Sequence, residues 1–390
     1  MTATAAAVRP YTRRISQIER GYLNAAATGT PQLIQMIVEG EGRIDPDALR
    51  DAVRSATLAS PGLAVRRRGA GWRAGGPLPP VVELPGDDGF DAPFFHRDLD
   101  VVAGPVCEVG LAEGPSTQGP STRLVVRASH IVTDGRGLRQ WIADVFRVLR
   151  GEEPVGAASV VDDAHFRTAA GKVPPAEPPA RLEGLPAILG DGPADGAPLW
   201  IRRRVRAAPS AVTARVAAAL SRRLAGETGR LIVPVDLRRH DRTVRSTANL
   251  TSRLVLDLHR DDSWKRLHGQ IVRALLGKRE VAALEGDFLR SNPFANSLRE
   301  ARELDGTRFP CTAIVSDHGR IDTAELRTDR FRPTGFSTLP MLVPYAEMFL
   351  STCQVGDDTE LTLSCRRRPG ARQAAGAVLD DIEQALTTPR

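Results

Sequence analysis

A break in composition constrains this chain more than any other feature. Between Gly151 and Pro198 the sequence turns rich in Pro, Gly, Ala and acidic residues, with Pro174-Pro175 and Pro178-Pro179 as breakers. Such a stretch reads as a connection between folding units. Segments of strand-like and helix-like periodicity alternate on both sides of it. The chain therefore reads as α/β with mixed sheets, divided into a first lobe over 1–185, in which 151–198 is linker-rich, and a second lobe over 199–390. With 390 residues and 42% hydrophobic content, it can bury a sizeable core in each.

In the first lobe, Ser16 with Glu19 three residues on forms a capping box that opens a helix. Leu33 to Glu39 reads as strand, and Asp45 followed by Pro46 starts a helix that runs to about Leu58. Short strands follow at Ala64-Val65, Val81 to Leu84 and Val106 to Ala112. Thr122 to Ala128 then forms a buried-strand pattern that leads directly into Ser129 and His130. Asp134-Gly135-Arg136-Gly137 makes a turn, after which Leu138, Trp141, Ile142, Val145, Phe146 and Leu149 recur at helical spacing. Within the connecting stretch, Ala180 to Leu189 fits a short helix.

The second lobe alternates in the same way. Strands are expected at Leu199 to Val205, Leu231 to Val235, Leu250 to Leu258, Thr312 to Val315, Met341 to Leu350 and Glu360 to Cys365. Helices are expected at Ser210 to Ala225, Ser263 to Leu284 and Ala371 to Leu386. No short-period repeat marks a solenoid.

Charge and cysteine usage narrow the function. A net charge of +6 suits an anionic partner such as a phosphate-bearing cosubstrate or an acidic carrier protein. The runs at Arg66-Arg67-Arg68, Arg202-Arg203-Arg204 and Arg366-Arg367-Arg368 lack interleaved aromatics, so nucleic acid is not the expected partner. Cys107, Cys311, Cys353 and Cys365 form no close pair, which argues against a disulfide framework or a zinc site. No metal, no membrane anchor and a cytoplasmic monomer are the expectations that follow.

His130 sits where a strand ends, four residues before Asp134-Gly135. An imidazole with an ordinary pKa near ~6.5 can take a proton at neutral pH, although a lone histidine is more often a core or surface residue.

Ser129-His130-Ile131-Val132-Thr133-Asp134-Gly135 resembles the H-H-x-x-x-D-G signature of nonribosomal-peptide condensation domains and of related free-standing acyltransferases in the chloramphenicol acetyltransferase-like superfamily. Three further segments resemble the same family in the same order. Gly42-Arg43-Ile44-Asp45 to Val53, with Ser60-Pro61-Gly62-Leu63, is similar to its entry helix. Pro234-Val235-Asp236-Leu237-Arg238 with Ala248-Asn249-Leu250 is similar to its P-V-D-L-R and G-N region. Val315-Ser316-Asp317-His318-Gly319-Arg320-Ile321 is similar to its S-N-[LF]-G-x-[ILV] strand. The first His of the family pair is Ser129 here, and Asp317 and His318 replace the usual Asn and apolar residue.

The resemblance implies two chloramphenicol-acetyltransferase-like lobes in a V, with the active-site channel between them. It implies an acyltransferase that moves an acyl group from a coenzyme A or carrier-protein phosphopantetheine thioester to a hydroxyl or amine of a small-molecule acceptor, in specialised metabolism. His130 would be the general base, and Gly135 would let backbone N–H groups approach the oxyanion. Asp134 and Arg238 would form a structural ion pair. Ser129, Ser316, Asp317, His318 and Asn249 would lie at the pocket. No tightly bound cofactor is implied, only the acyl thioester as cosubstrate. The alternative is a catalytically silent condensation-like domain that binds a carrier protein or metabolite.

Overall fold

A computed structural model describes residues 10–27, 29, 31–86, 89–116, 119–174, 184–190, 196–284 and 307–388. The architecture is a mixed α/β fold built on two main sheets.

The first sheet has five strands, in the order Phe331–Leu339, Leu33–Gly42, Gly119–Ser129, Cys107–Ser116 and Val81–Leu84. All neighbours are antiparallel except the last pair, which is parallel. Helices Pro46–Ala59 and Gly135–Leu149 pack their apolar residues with those of the sheet. Trp141 and Phe146 of the second helix are fully buried, each stabilising the packing by roughly 1.5–3 kcal/mol. The Trp141 indole N–H also donates to Thr57 Oγ1 at 3.2 Å, which ties the two helices together.

The second sheet has six strands, in the order Thr251–His259, Thr228–Asp236, Cys311–Ile321, Ala346–Val355, Asp358–Arg366 and Pro198–Val205. The two pairings of Cys311–Ile321 are parallel and the others antiparallel. Helices Val212–Arg222, Trp264–Leu276 and Ala371–Thr387 share one core with this sheet. Burial alternates along Thr251–His259, where Leu254, Leu256 and Leu258 face that core and Thr251, Arg253 and Val255 are half-buried on the other side. That other side is the wall of a cleft.

Several local expectations are corrected. The strand Phe331–Leu339 lies in the chain's second half yet pairs with Leu33–Gly42 in the first sheet. Phe331 stacks on Phe146 of the motif helix at 5.9 Å. The stretch read as a linker is packed where it is described. Asp144 accepts from Val155 N and Gly156 N, both at 2.9 Å, and a helix at Asp163–Ala169 follows. The Asp163 carboxylate caps the first helix, Gln17–Ala26, by accepting from Gln17 N and Ile18 N. Part of the expected helix at Ala180 to Leu189 lies outside the described residues, and Leu185–Pro186 within it is a short strand paired with Arg308–Phe309.

The helix expected over Ser263 to Leu284 breaks into Trp264–Leu276 and Arg279–Ala282, with Lys278 between them in the left-handed region. The strand expected from Met341 starts only at Ala346, since Pro340 and Pro344 lack the N–H a ladder needs.

Candidate active site

The strand Gly119–Ser129 ends one residue before His130, whose N–H continues the ladder by donating to Gln32 O at 2.7 Å. The chain then turns, with Val132 N donating to Ser129 O, and this brings His130 Nδ1 within 2.9 Å of the Thr133 carbonyl. A carbonyl can only accept, so the proton sits on Nδ1 and Nε2 keeps the lone pair. Asn249 Nδ2 donates to His130 O at 2.6 Å, and its 3.2 Å approach to Nδ1 is a packing contact in this tautomer. Tyr22, from the first helix, stacks on the imidazole at 4.7 Å between ring centroids. Its hydroxyl shares a hydrogen bond with the Asn249 side chain, and burial pushes its pKa up to about 12. For His130, burial lowers the pKa and outweighs the opposing charge of Asp134. The ring is thus held neutral, in one tautomer, from three sides.

Asp134 points elsewhere. As N-cap it starts the helix Gly135–Leu149, so the helix begins at Gly135 where the sequence suggested a turn. Its Oδ1 accepts from Gly137 N at 2.7 Å. Its Oδ2 accepts from Arg238 Nη1 at 3.0 Å, Leu250 N at 2.7 Å and Thr251 Oγ1 at 3.1 Å. Arg238 completes its fork on Asp236 and on the carbonyls of Ser246 and Ala248. Both side chains are almost fully buried. Burial alone would raise the Asp134 pKa, but the guanidinium and the N–H donors hold it below the usual carboxylate range. The pair joins the motif to the segment after the strand Thr228–Asp236.

His130 and Gly135 line a cavity of about 560 Å³ between the sheets. Ile18, Leu33, Ile34, Ile314, Leu339 and Phe349 give it much apolar wall, and Ser316, Asp317 and His318 also line it. His318 projects from a bulge, because the pairing with Ala346–Val355 shifts register between Asp317 and Arg320. Burial, then the charge of Arg139, push the His318 pKa down to about 4, so this ring is neutral too. A Cβ on residue 135 would lie 2.8 Å from His318 Cε1. Glycine is needed there for close packing.

Two expected pocket residues are placed differently. Ser129 and Asn249 are fully buried and do not line the cavity. Ser129 faces inward at the end of its strand, and Asn249 supports His130 from behind. Of the other histidines, His240 is held by Glu280 at 2.9 Å and His165 by Asp241 at 2.8 Å. Sequence reasoning missed Tyr22 and Arg253. Tyr22 lies on a helix whose pattern marks only amphipathicity, and Arg253 alternates along a strand like any outward residue. Neither sits in a motif.

No protein-family model matches the sequence, and no curated protein matches it. Solved structures do match in fold. The EpoB cyclization-docking bidomain of a nonribosomal peptide synthetase from Sorangium cellulosum aligns with a TM-score of 0.64 at 15% identity, covering 100% of this chain and 88% of its own. A variant of the starter condensation domain of rhizomide synthetase RzmA, in complex with C8-CoA, gives 0.64 at 15% identity over 97% and 95%. The condensation domain of the monacolin K polyketide synthase MokA gives 0.63 at 11% identity over 97% and 98%. The chain has the condensation-domain fold over essentially its whole length.

Proposed function

We propose that this protein, built on the condensation-domain fold, is an acyltransferase that uses His130 as general base on a phosphopantetheine-type thioester. The observation that carries the reading is the Nδ1–H bond from His130 to the Thr133 carbonyl, which leaves Nε2 basic on a residue of the cavity wall. Nε2 takes the proton of an acceptor hydroxyl or amine as its oxygen or nitrogen attacks the thioester carbonyl. A tetrahedral oxyanion forms. Its collapse breaks the C–S bond, and the proton passes from Nε2 to the leaving thiolate, so no covalent enzyme intermediate is required.

The N–H groups of Gly135 and Arg136 open the motif helix and have no partner within it. They are the candidate donors to the oxyanion, and the missing side chain of Gly135 permits the approach. Asp134 is spent on Arg238 and backbone donors and holds the loop, not the imidazole. The neighbour bound to C8-CoA supports an acyl thioester as donor, and the apolar wall suits an acyl chain.

Two measurements follow. Gly135→Ala is expected to fold and to lose up to about 10²-fold in kcat/KM, the scale of a roughly 1 Å misplacement. The clash is with His318, so adding His318→Ala should recover part of the loss. Unchanged kinetics in the single variant would remove Gly135 from the site. The apparent KM for an acyl-CoA donor should also rise with ionic strength, because the net charge of +6 attracts the phosphates and salt screens attraction beyond about 8 Å. A KM flat from low to high salt would contradict electrostatic capture.

A further inference from the structure

One charge in the cavity has no part in this chemistry. Arg253 lies on the strand Thr251–His259 opposite Pro234, half-buried and lining the cavity. The other cavity arginines are accounted for. Arg238 is held by Asp134 and Asp236, Arg239 by Glu280, and Arg139 by the carbonyl of His318. Arg136 and Arg242 are exposed to bulk water. On the same sheet face Arg230 has Asp257 directly across the register, at 2.9 Å. Among the described residues Arg253 has neither a hydrogen bond nor an ion pair, and a proline stands where a carboxylate would be needed to supply one. Its charge bears on the phenols of Tyr22 and Tyr345, which line the same cavity, and Tyr22 is the ring stacked on His130.

A guanidinium drawn partly out of water without a counter-charge is costly, and its planar fork of N–H donors fits a carboxylate bidentately. We propose that Arg253 binds a free carboxylate on the acceptor, so that the acceptor is a soluble amino or hydroxy acid whose carboxyl group is not tied up as a thioester or amide. The assignment rests on the acyl-transfer reading above. The geometry favours the acceptor because an α-amino or α-hydroxy acid carries its carboxylate one carbon from its nucleophile. Arg253 and the Tyr22–His130 stack line one cavity, so a carboxylate on Arg253 places the nucleophile in the same cavity as the base. Coenzyme A phosphates fit less well, since they lie a whole pantetheine arm away from the reacting carbonyl.

Calorimetric titration of wild type, Arg253→Gln and Arg253→Lys tests this without any turnover. Hexanoate against hexanamide probes the site itself. A charge-assisted bond makes hexanoate the tighter ligand by about tenfold or more in wild type. Arg253→Gln abolishes the preference while leaving hexanamide unchanged, and Arg253→Lys keeps part of it. Equal binding, a preference that survives in Arg253→Gln, or no hexanoate binding overturns the site. The second arm titrates amino and 2-hydroxy acids against their amides, and adipoyl-CoA against hexanoyl-CoA. An acid bound more tightly than its amide, in an Arg253-dependent way, supports the acceptor assignment. A preference confined to adipoyl-CoA moves the carboxylate to the acyl chain and overturns it. Because binding alone is read, a protein that holds carboxylates through Arg253 but transfers no acyl group would refute the reaction and spare the site.

Discussion

His130→Gln and His130→Ala are expected to stay folded, with wild-type circular dichroism, and to lose about 10²–10⁴-fold in turnover when chemistry limits the rate. The ring's hydrogen bond to Thr133 O and its stacking on Tyr22 serve orientation more than stability, since His130 is only partly buried. The pH profile of the wild type supplies a second readout. A base acts in its neutral form, so kcat/KM rises with pH through the His130 pKa and is flat above it. Burial lowers that pKa, which puts the inflection below the ordinary value of about 6.5. Wild-type rates in either variant, or an inflection well above that value, would contradict the base assignment.

Arg238→Ala is expected to destabilise the protein by roughly 3–5 kcal/mol, because it leaves the buried Asp134 without its counter-charge, and Asp134→Asn by less, because Arg238 keeps Asp236 at 2.7 Å. The two losses should not add. Residues in contact typically show a coupling of roughly 0.5–3 kcal/mol in a double-mutant cycle, and here Arg238 Nη1 stands 3.0 Å from Asp134 Oδ2. The sign of the pH dependence follows from the depressed Asp134 pKa. Its stabilising contribution is present above the unfolded carboxylate pKa near ~3.9 and is lost as pH falls through the lower folded value. Denaturant unfolding of both single variants and the double variant measures the cycle. Strictly additive losses, or lost activity at unchanged stability, would replace the structural ion pair with a catalytic Asp134.

Local pattern made the motif legible. A buried-strand run leading into Ser129 and the helical spacing from Leu138 to Leu149 depend only on neighbours in sequence. Each is realised within a few residues of its expected bounds. The Asp134–Arg238 contact spans 104 residues and came only from family resemblance. What stayed hidden was long-range pairing. Phe331–Leu339 contains Pro333 and Gly335, which read as breakers, yet the ladder absorbs them at a register shift against Leu33–Gly42. Its partner lies almost 300 residues away, and nothing local encodes that choice. Tyr22 escaped for the same reason, since an aromatic residue on an amphipathic helix carries no sign that it will stack on a histidine from another element.

The most direct test of the account is mass-spectrometric analysis of the wild-type protein incubated with octanoyl-CoA and a panel of amines, alcohols, amino acids and hydroxy acids, with free thiol and acylated acceptor quantified together. Thiol release is expected to be matched mole for mole by an acylated acceptor, and both to be abolished in His130→Ala. Thiol release that yields only free octanoic acid, or transfer that persists unchanged in His130→Ala, would contradict it.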